Sequence, residues 1–244
     1  MTESAPQIPV PAPPPEQLQA RSTVKTKELG PLGQAVAQRI RVLQYDYHHD
    51  NSQAVQTLAR LRRGVGRQAT EMPDLWGLVG MEQFYAAQTY RMDEADALRA
   101  ERAAHVAVTL WALHQQSNRS KRMHVAGGAS LGAAARRLMP GNDSDESIRK
   151  RLMRAGTATS FDVLAQRLRE LVVLLRTAEI PLDYGLLAEQ LHQWQRPGGA
   201  SLVRQAWGRT FHAFRPATDS GRPPGEMADE AAVDADTNQT KDET

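Results

Sequence analysis

The sequence predicts an all-α protein made of two small helical bundles packed together, with about eight helices. Apolar residues recur at helical spacing, as in the series Val36, Ile40, Leu43 and Tyr47. Glycine and proline groups interrupt this spacing at intervals suited to loops between helices. No segment shows the strict alternation of apolar and polar residues that is typical of a strand.

The positions of these interruptions define the predicted elements. We expect helices at 33–49, 52–64, 94–116, 130–139, 145–155, 160–178, 183–195 and 200–214, and a short turn near 74–79. A glycine-rich loop at 127–130 divides them into an N-terminal bundle, 33–126, and a basic C-terminal bundle, 127–216. The Pro-rich residues 1–32 and the acidic residues 217–244 have few large apolar side chains, so both are predicted to be disordered tails.

Charge is unevenly distributed along the chain. The formal charge is +2, but residues 217–244 hold two basic residues against eight acidic ones, so their net charge is −6. Residues 33–216 therefore carry a net charge of +8, and segment 117–176 alone holds twelve basic residues against five acidic ones. A basic folded region favours a polyanionic partner, because neutralising phosphates releases bound counterions. The charge by itself leaves open whether that partner is nucleic acid.

Several protein classes do not fit this sequence. The chain contains no cysteine, which excludes disulfides, thiolate metal sites and cysteine nucleophiles. The longest uncharged aliphatic run, Leu171 to Leu175, is far shorter than the roughly 20 residues of a membrane-spanning helix. The start of the chain is rich in proline and does not resemble an apolar signal sequence. We expect a soluble, cytoplasmic protein that does not interact with a membrane.

Candidate catalytic and metal-binding residues have simpler structural interpretations. His48 and His49 are adjacent and His105 and His114 are nine residues apart, so neither pair has the i, i+4 spacing that brings two ligands together on a helix. Ser130 follows glycines at a predicted helix start and is expected to cap the helix at Ala133. We therefore predict no cofactor, no metal and no enzymatic activity. A hydrolase or metal enzyme that uses the histidines and Ser130 would instead show turnover or bound metal.

The tryptophans and the glycine-rich loop could each be structural or could bind nucleic acid. The four tryptophans, Trp76, Trp111, Trp194 and Trp207, lie within apolar patterns and are predicted to belong to the core rather than to stack on bases. The loop at 127–130 lacks the lysine and preceding strand of a phosphate-binding loop, so a connector is the favoured interpretation. The N–H groups that follow it could still contact one phosphate.

The order of motifs resembles the CasB family, the small subunit of the type I-E CRISPR surveillance complex called Cascade. The resemblance covers roughly residues 35–214. It is carried in turn by Leu58-Ala59-Arg60-Leu61-Arg62-Arg63-Gly64, Pro73-Asp74-Leu75-Trp76, the helix ending at Trp111, Ser130-Leu131-Gly132, Glu146 with Arg151-Leu152-Met153-Arg154-Ala155, Leu164 to Leu175, Ile180-Pro181-Leu182-Asp183-Tyr184 and Leu191 to Trp194. Tyr184 stands where the family usually has tryptophan, and it keeps an aromatic ring for the same pocket.

The resemblance implies a non-catalytic helical subunit, present in two copies, that lines the Cascade backbone and stabilises the crRNA-guided R-loop and the displaced DNA strand. Its partners would be the other Cascade subunits, a second copy of itself, crRNA and target DNA. The residues that match basic positions of the family are Arg62, Arg63, Arg154 and Arg196. Charge and placement add Arg102, Arg119, Arg122, Arg136 and Arg151 as further nucleic-acid-binding candidates. The alternative is a stand-alone helical DNA-binding regulator, which would show sequence preference.

Overall fold

The computed structural model describes residues 29–87, 92–139, 141 and 144–214. These residues form nine α-helices: α1 (Pro31–His48), α2 (Ser52–Arg63), α3 (Met81–Ala86), α4 (Glu94–Gln115), α5 (Leu131–Arg137), α6 (Ser144–Gly156), α7 (Phe161–Thr177), α8 (Tyr184–Trp194) and α9 (Gly199–Ala213). Two short 3₁₀ turns, Ala69–Glu71 and Pro73–Leu75, lie between α2 and α3. The all-α prediction is confirmed: the described residues contain no strand, only an isolated bridge between His124 and Leu182.

The predicted helices agree with the structure except at two places. Helix α3 was not predicted, because it has only six residues and lies just after Gly77 and Gly80, which both adopt positive φ. Helix α1 begins at Pro31, two residues before the predicted helix start at residue 33, and buries Leu32 in the core. Proline suits this first helical position, where its missing N–H would be unpaired anyway. The rest of the predicted tails lies outside the described residues.

Polar side chains at the helix starts explain why several helices begin where they do. Each accepts a hydrogen bond from a backbone N–H that has no partner within the first turn. The capping residues are Asn51 for α2, Asp93 for α4, Ser130 for α5, Ser160 for α7 and Asp183 for α8. The expected cap of Ser130 on the N–H of Ala133 is confirmed.

Helix α4 is the central helix of the protein. Its second half is buried on almost every side, including Ala103, Ala104, Ala107 and Trp111. Helices α1, α2, α7 and α8 pack directly against it. The small alanine side chains let these neighbours approach closely, and a helix surrounded in this way needs no polar face. Further out, α3 packs on α1, α5 and α8 pack on α9, and α6 packs on α7.

The two predicted bundles share one continuous core. Helix α8, from the C-terminal half, packs on both α1 and α4, from the N-terminal half. The buried apolar residues of both halves form a single cluster that extends from Leu32 to Phe211. The division into two domains near Gly127 stays a prediction.

The connector between α4 and α5, residues 116–130, is held to this core by three buried polar side chains. Gln44 of α1 donates to the carbonyl oxygen of His124 at 3.1 Å and accepts from its N–H at 3.0 Å. Gln115 donates to the carbonyl oxygens of Asn118 and Lys121 and accepts from the N–H of Met123 at 2.9 Å. Asp183 accepts from the N–H of Gly127 at 2.8 Å. We call Gln44, Gln115 and Asp183 the connector lock.

The tryptophan prediction is confirmed for two residues and wrong for one. Trp111 and Trp207 are at most 2% exposed, and Trp194 is partly buried against the ring of Phe161. Trp76, in contrast, is 70% exposed. The chain is extended at Trp76 after the second 3₁₀ turn, so Leu75 enters the core and the neighbouring indole points outward.

A histidine and a tyrosine meet in the centre of the core. The hydroxyl of Tyr184 lies 2.9 Å from Nδ1 of His114, and both residues are 0% exposed. Burial lowers the pKa of His114 to about 4, so the imidazole is neutral at neutral pH and shares a hydrogen bond with the hydroxyl. The predicted aromatic pocket for Tyr184 therefore exists and is completely enclosed.

We expect the free energy of unfolding to be constant above pH 6.5 and to fall as the pH drops from 6.5 toward 4. The unfolded His114 binds a proton in this range, whereas the folded one stays neutral. Protonation of unfolded His114 alone would lower the free energy of unfolding by roughly 3 kcal/mol over this range. Denaturant unfolding at several pH values should show a shallower fall for His114→Asn. The control Tyr184→Phe should lose stability at every pH and keep the slope, and an unchanged slope in His114→Asn would contradict this account.

Candidate nucleic-acid interface

The first group of candidate residues surrounds the turn that follows α2. Arg63 is exposed and Arg62 is half-buried at the C-terminal end of this helix, where positive charge interacts favourably with the helix dipole. Arg67 follows in the turn, and Nη1 of Arg169, from α7, lies 3.9 Å from where a Cβ on Gly66 would be. We call Arg62, Arg63, Arg67 and Arg169 the α2-turn group. None of them forms an ion pair within the described residues.

Helix α4 fixes the position of this turn. Gly64 lies so close to Leu75, Thr109 and His105 that a Cβ would be 2.5 Å from the nearest atom. Nε2 of His105 lies 3.3 Å from the carbonyl oxygen of Gly64 and 3.1 Å from that of Arg67, so it donates to the turn. Burial lowers the pKa of His105, which keeps the ring neutral beside this basic group.

Arg102 also borders the α2-turn group but has protein partners. Its guanidinium lies 3.3 Å from the carboxylate of Asp162 and 4.8 Å from the centre of the Phe161 ring. It lines a small cavity of about 180 Å³ together with Arg67. The ion pair and the ring contact tie α4 to the start of α7, so Arg102 contributes to the fold whether or not it contacts a ligand.

Arg196 has the strongest set of protein partners among the candidates. It donates three hydrogen bonds to the carboxylate of Asp96, from Nε to Oδ1 at 3.3 Å and from Nη2 to Oδ1 and Oδ2 at 3.2 and 2.9 Å, and the Asp96 side chain is 14% exposed. Arg99 and His192 contact the same carboxylate. Burial works against ionisation of Asp96, but the hydrogen bond from Arg196, the charge of His192 and the hydrogen bond from Arg99 outweigh it and hold the pKa at about 2. Arg196 thus fastens the end of α8 to α4.

Arg119 and Arg122 lie at the opposite end of α4, roughly 20 Å along its axis from Arg102. Arg119 donates to the carbonyl oxygen of Tyr47 at 3.1 Å, pairs with Asp50 and lies 4.2 Å above the Tyr47 ring. Arg122 is exposed and has no ion pair with a described residue. Burial lowers the pKa of His48, and the positive charges of Arg122 and Arg119 lower it further.

The remaining candidates lie on α5 and α6. Arg136 is half-buried and Arg154 is exposed, and neither has an ion pair or a side-chain hydrogen bond in the part of the chain that the structure describes. Arg151 donates to the carbonyl oxygen and the hydroxyl of Ser147, 3.3 and 3.1 Å away.

The nine candidates therefore divide into two sets by their contacts. The partnered arginines each hold another part of the protein through a hydrogen bond or an ion pair: Arg102, Arg119, Arg151 and Arg196. The unpartnered arginines have no such contact with a described residue: Arg62, Arg63, Arg122, Arg136 and Arg154. Only the second set has its full donor capacity available for a phosphate.

The structure adds Arg67 and Arg169 to the residues singled out from the sequence. Arg67 could have been identified from the sequence, because it ends a run of basic residues and glycines that begins at Arg62. Arg169 could not, because its approach to Gly66 depends on the packing of α7 beside the α2 turn.

Part of the glycine-rich connector and of the turn that follows it is already bound by protein groups. The N–H of Gly127 already donates to Asp183, and Ser130 caps α5. At Gly132, a Cβ would lie 2.0 Å from the carbonyl oxygen of Trp207, so the first turn of α5 is pressed against α9. Contact between the remaining N–H groups of this turn and a phosphate stays a prediction.

Within the described residues, no three histidine, aspartate or glutamate side chains lie close enough together to hold a metal ion. None of the helices described has both the length and the apolar composition needed to cross a membrane.

The chain is similar to CRISPR-associated proteins. The sequence profile of the family described as CRISPR-associated protein Cse2 matches residues 57–212. The crystal structure of CasB from Thermobifida fusca is 52% identical with a TM-score of 0.69, and the match covers 76% of this chain and 100% of that chain. A chain of a CRISPR RNA-guided surveillance complex is 22% identical with a TM-score of 0.52, covering 72% of this chain and 95% of that one, and shows likeness of fold alone. Among curated proteins, no match was found.

We expect Arg196→Ala to lower the free energy of unfolding by roughly 1–2 kcal/mol at neutral pH, because Asp96 loses a bidentate partner. The stability that ionised Asp96 provides exists above its unfolded pKa of 3.8 and is lost as the pH falls toward about 2. In the variant this loss should occur at higher pH, which carboxyl NMR of Asp96 and acid unfolding would measure. The control Arg63→Ala should change stability by less than about 0.5 kcal/mol. Equal effects of the two substitutions would contradict the structural role of Arg196.

Proposed function

Because the chain belongs to the CRISPR-associated Cse2 family, we propose that it is a non-catalytic subunit of a type I-E Cascade complex in antiviral defence. In this role it binds the nucleic-acid backbone without sequence preference and stabilises the crRNA-guided R-loop and the displaced strand. Its partners are the other Cascade subunits, a second copy of itself, crRNA and target DNA, in the cytoplasm. The resemblance to the CasB family that the sequence motifs indicated is confirmed.

The observation that carries the proposal is the set of arginines that the fold leaves without a partner. Most of the acidic side chains near arginines are already used: Asp162 by Arg102, Asp50 by Arg119 and Asp96 by Arg196. The α2-turn group, in contrast, places four arginines at or beside one turn, and none of them has an ion pair with a described residue. Positive charge without acidic partners favours an anionic ligand.

The arrangement favours contacts to the backbone over base reading. The unpartnered arginines are distributed over α2, α5, α6 and the connector after α4. A single groove of duplex DNA is read by a few side chains on one helix or ribbon, whereas a strand crossing a protein surface can meet cations from several elements. The distribution therefore supports the R-loop role over the stand-alone regulator, which would need one reading helix.

Modest contacts are sufficient for such a role. Replacing a DNA duplex by an RNA–DNA heteroduplex is nearly balanced in free energy, so backbone contacts to the displaced strand can shift the equilibrium. Ser130, the one serine considered as a nucleophile, is used as a helix cap. This use fits a subunit that binds nucleic acid without chemistry of its own.

We expect Arg62→Ala with Arg63→Ala to shorten the lifetime of a target R-loop about tenfold in the reconstituted complex, which corresponds to about 0.7 kcal/mol for each of the two arginines. Assembly, followed by co-elution of the subunits, and melting temperature should stay the same. The matched control is Arg149→Ala with Arg167→Ala, which removes two arginines that pair with Glu146 and Glu170 within their own helices.

The control variant should assemble and hold the R-loop as long as the unmodified protein does. An unchanged lifetime in the Arg62/Arg63 variant would remove the α2 turn from the strand path. A marked preference of the purified protein for one DNA sequence would favour the regulator instead.

A further inference from the structure

An apolar groove with an exposed tryptophan lies beside the α2-turn group, and His105 lines both this groove and the cavity that Arg67 and Arg102 border. Trp76 is the most exposed of the large apolar side chains in the described residues, at 70%. It borders a groove of about 330 Å³. The side chains that line it include Leu75, Trp76, Val79, Met81, Leu98 and Glu101. Exposing an indole beside an apolar groove is unfavourable in water, so this surface suits a binding partner.

A second aromatic ring lies at the rim of this groove. The hydroxyl of Tyr85 donates to the carboxylate of Glu101 at 2.6 Å, and 43% of Tyr85 is exposed. The indole N–H of Trp76 has no hydrogen-bond acceptor among the described residues and is available to a ligand carbonyl. Two aromatic rings, a free indole N–H and an apolar floor are the features with which proteins recognise a polyproline II segment.

The chain contains such a segment. Residues 8–15 include five prolines, at positions 9, 11, 13, 14 and 15. Polyproline II has three residues per turn, so Pro11 and Pro14 would lie on one face of it. Because prolines restrict the free chain, such a segment loses little conformational freedom when it binds.

The start of α1 lies close enough to the groove for this segment to reach it. Gly80, in the turn between Val79 and Met81 of the groove, packs against the carbonyl oxygen of Ala35 and the Cβ of Arg39. Gly30, where α1 begins, is about 8 Å along the helix axis from Ala35. Residues 16–28 provide thirteen residues of chain, which can span up to roughly 45 Å. The connection is therefore longer than the distance it needs to cover.

We infer that the Pro-rich segment 8–15 docks in the Trp76 groove of its own chain. A short connection gives the segment an effective concentration of about 1 mM, so an intrinsic Kd of roughly 100 μM would leave about nine in ten molecules closed. The inference does not depend on nucleic-acid binding.

The test is acrylamide quenching of Trp76 fluorescence in the full-length chain, obtained as the difference between the protein and its Trp76→Phe variant. Trp111 and Trp207 are buried and Trp194 is partly buried, so they contribute a background common to both. Replacing Pro11, Pro13 and Pro14 by serine should raise the quenching constant of Trp76, by up to about tenfold for a segment that was nine-tenths bound. A synthetic peptide of residues 5–17, added to the triple variant, should restore the protection.

The matched control replaces Pro223 and Pro224 by serine, which changes another proline pair outside the described residues and should leave the quenching constant unchanged. Protection that is independent of protein concentration supports docking within one chain. Protection that disappears on dilution would assign the groove to the segment of a second copy and overturn the inference. An unchanged quenching constant in the triple variant, with an unchanged melting temperature, would also overturn it.

Discussion

The position of the connector between α4 and α5 is the constraint on which the rest of the structure depends. Helix α4 is surrounded by four other helices, and the chain that leaves it returns to the core at Met123 and His124, where its backbone polar groups are buried and need partners. The connector lock pairs these groups with Gln44, Gln115 and Asp183, which come from three different helices or their caps. A buried polar group without a partner costs about 1–3 kcal/mol, so the lock allows only one path for the connector. Asp183 also caps α8, and the same carboxylate thereby sets where α8 begins against α1 and α4.

This constraint also explains how the arginines are distributed. The two halves share one core, so some arginines at the contacts between helices lie opposite a carboxylate of another helix. Arg196 pairs with Asp96 in this way, and Arg102 pairs with Asp162. These ion pairs connect α4 to the end of α8 and to the start of α7, and they stabilise the packing of these helices. Arg62 and Arg63 at the α2 turn and Arg154 on α6 have no ion pair with a described residue, whereas Arg149 and Arg167 pair with glutamates of their own helices. Arginines with and without a protein partner are thus separated by what lies opposite them, although their sequence surroundings are alike.

The fold was predictable from the sequence to the extent that it depends on local signals. Apolar periodicity and the caps Ser130 and Ser160 fix the helices within a few residues, and only the six-residue α3 and the start of α1 at Pro31 departed from the prediction. Tertiary contacts were not predictable in this way. Nothing local distinguishes the exposed Trp76 from the buried Trp111, since the difference arises from which of Leu75 and Trp76 turns inward. Likewise, the motifs and the excess of basic residues led to nine candidate arginines, but their partners come from helices distant in sequence, as does the approach of Arg169 to Gly66.

The central claim is that the arginines without a protein partner carry nucleic-acid binding and that the partnered ones hold the fold. The most direct test is the salt dependence of DNA binding, measured together with stability, for two variants. One replaces Arg62, Arg63, Arg122 and Arg154 by alanine, and the other replaces Arg102, Arg119, Arg151 and Arg196. For the first, we predict that the slope of log K against log salt decreases by roughly 0.7–0.9 for each phosphate that is no longer neutralised, at an unchanged melting temperature. For the second, we predict a lower melting temperature and a nearly unchanged slope. The reverse pattern, in which the partnered set changes the slope and the unpartnered set changes the stability, would contradict the account.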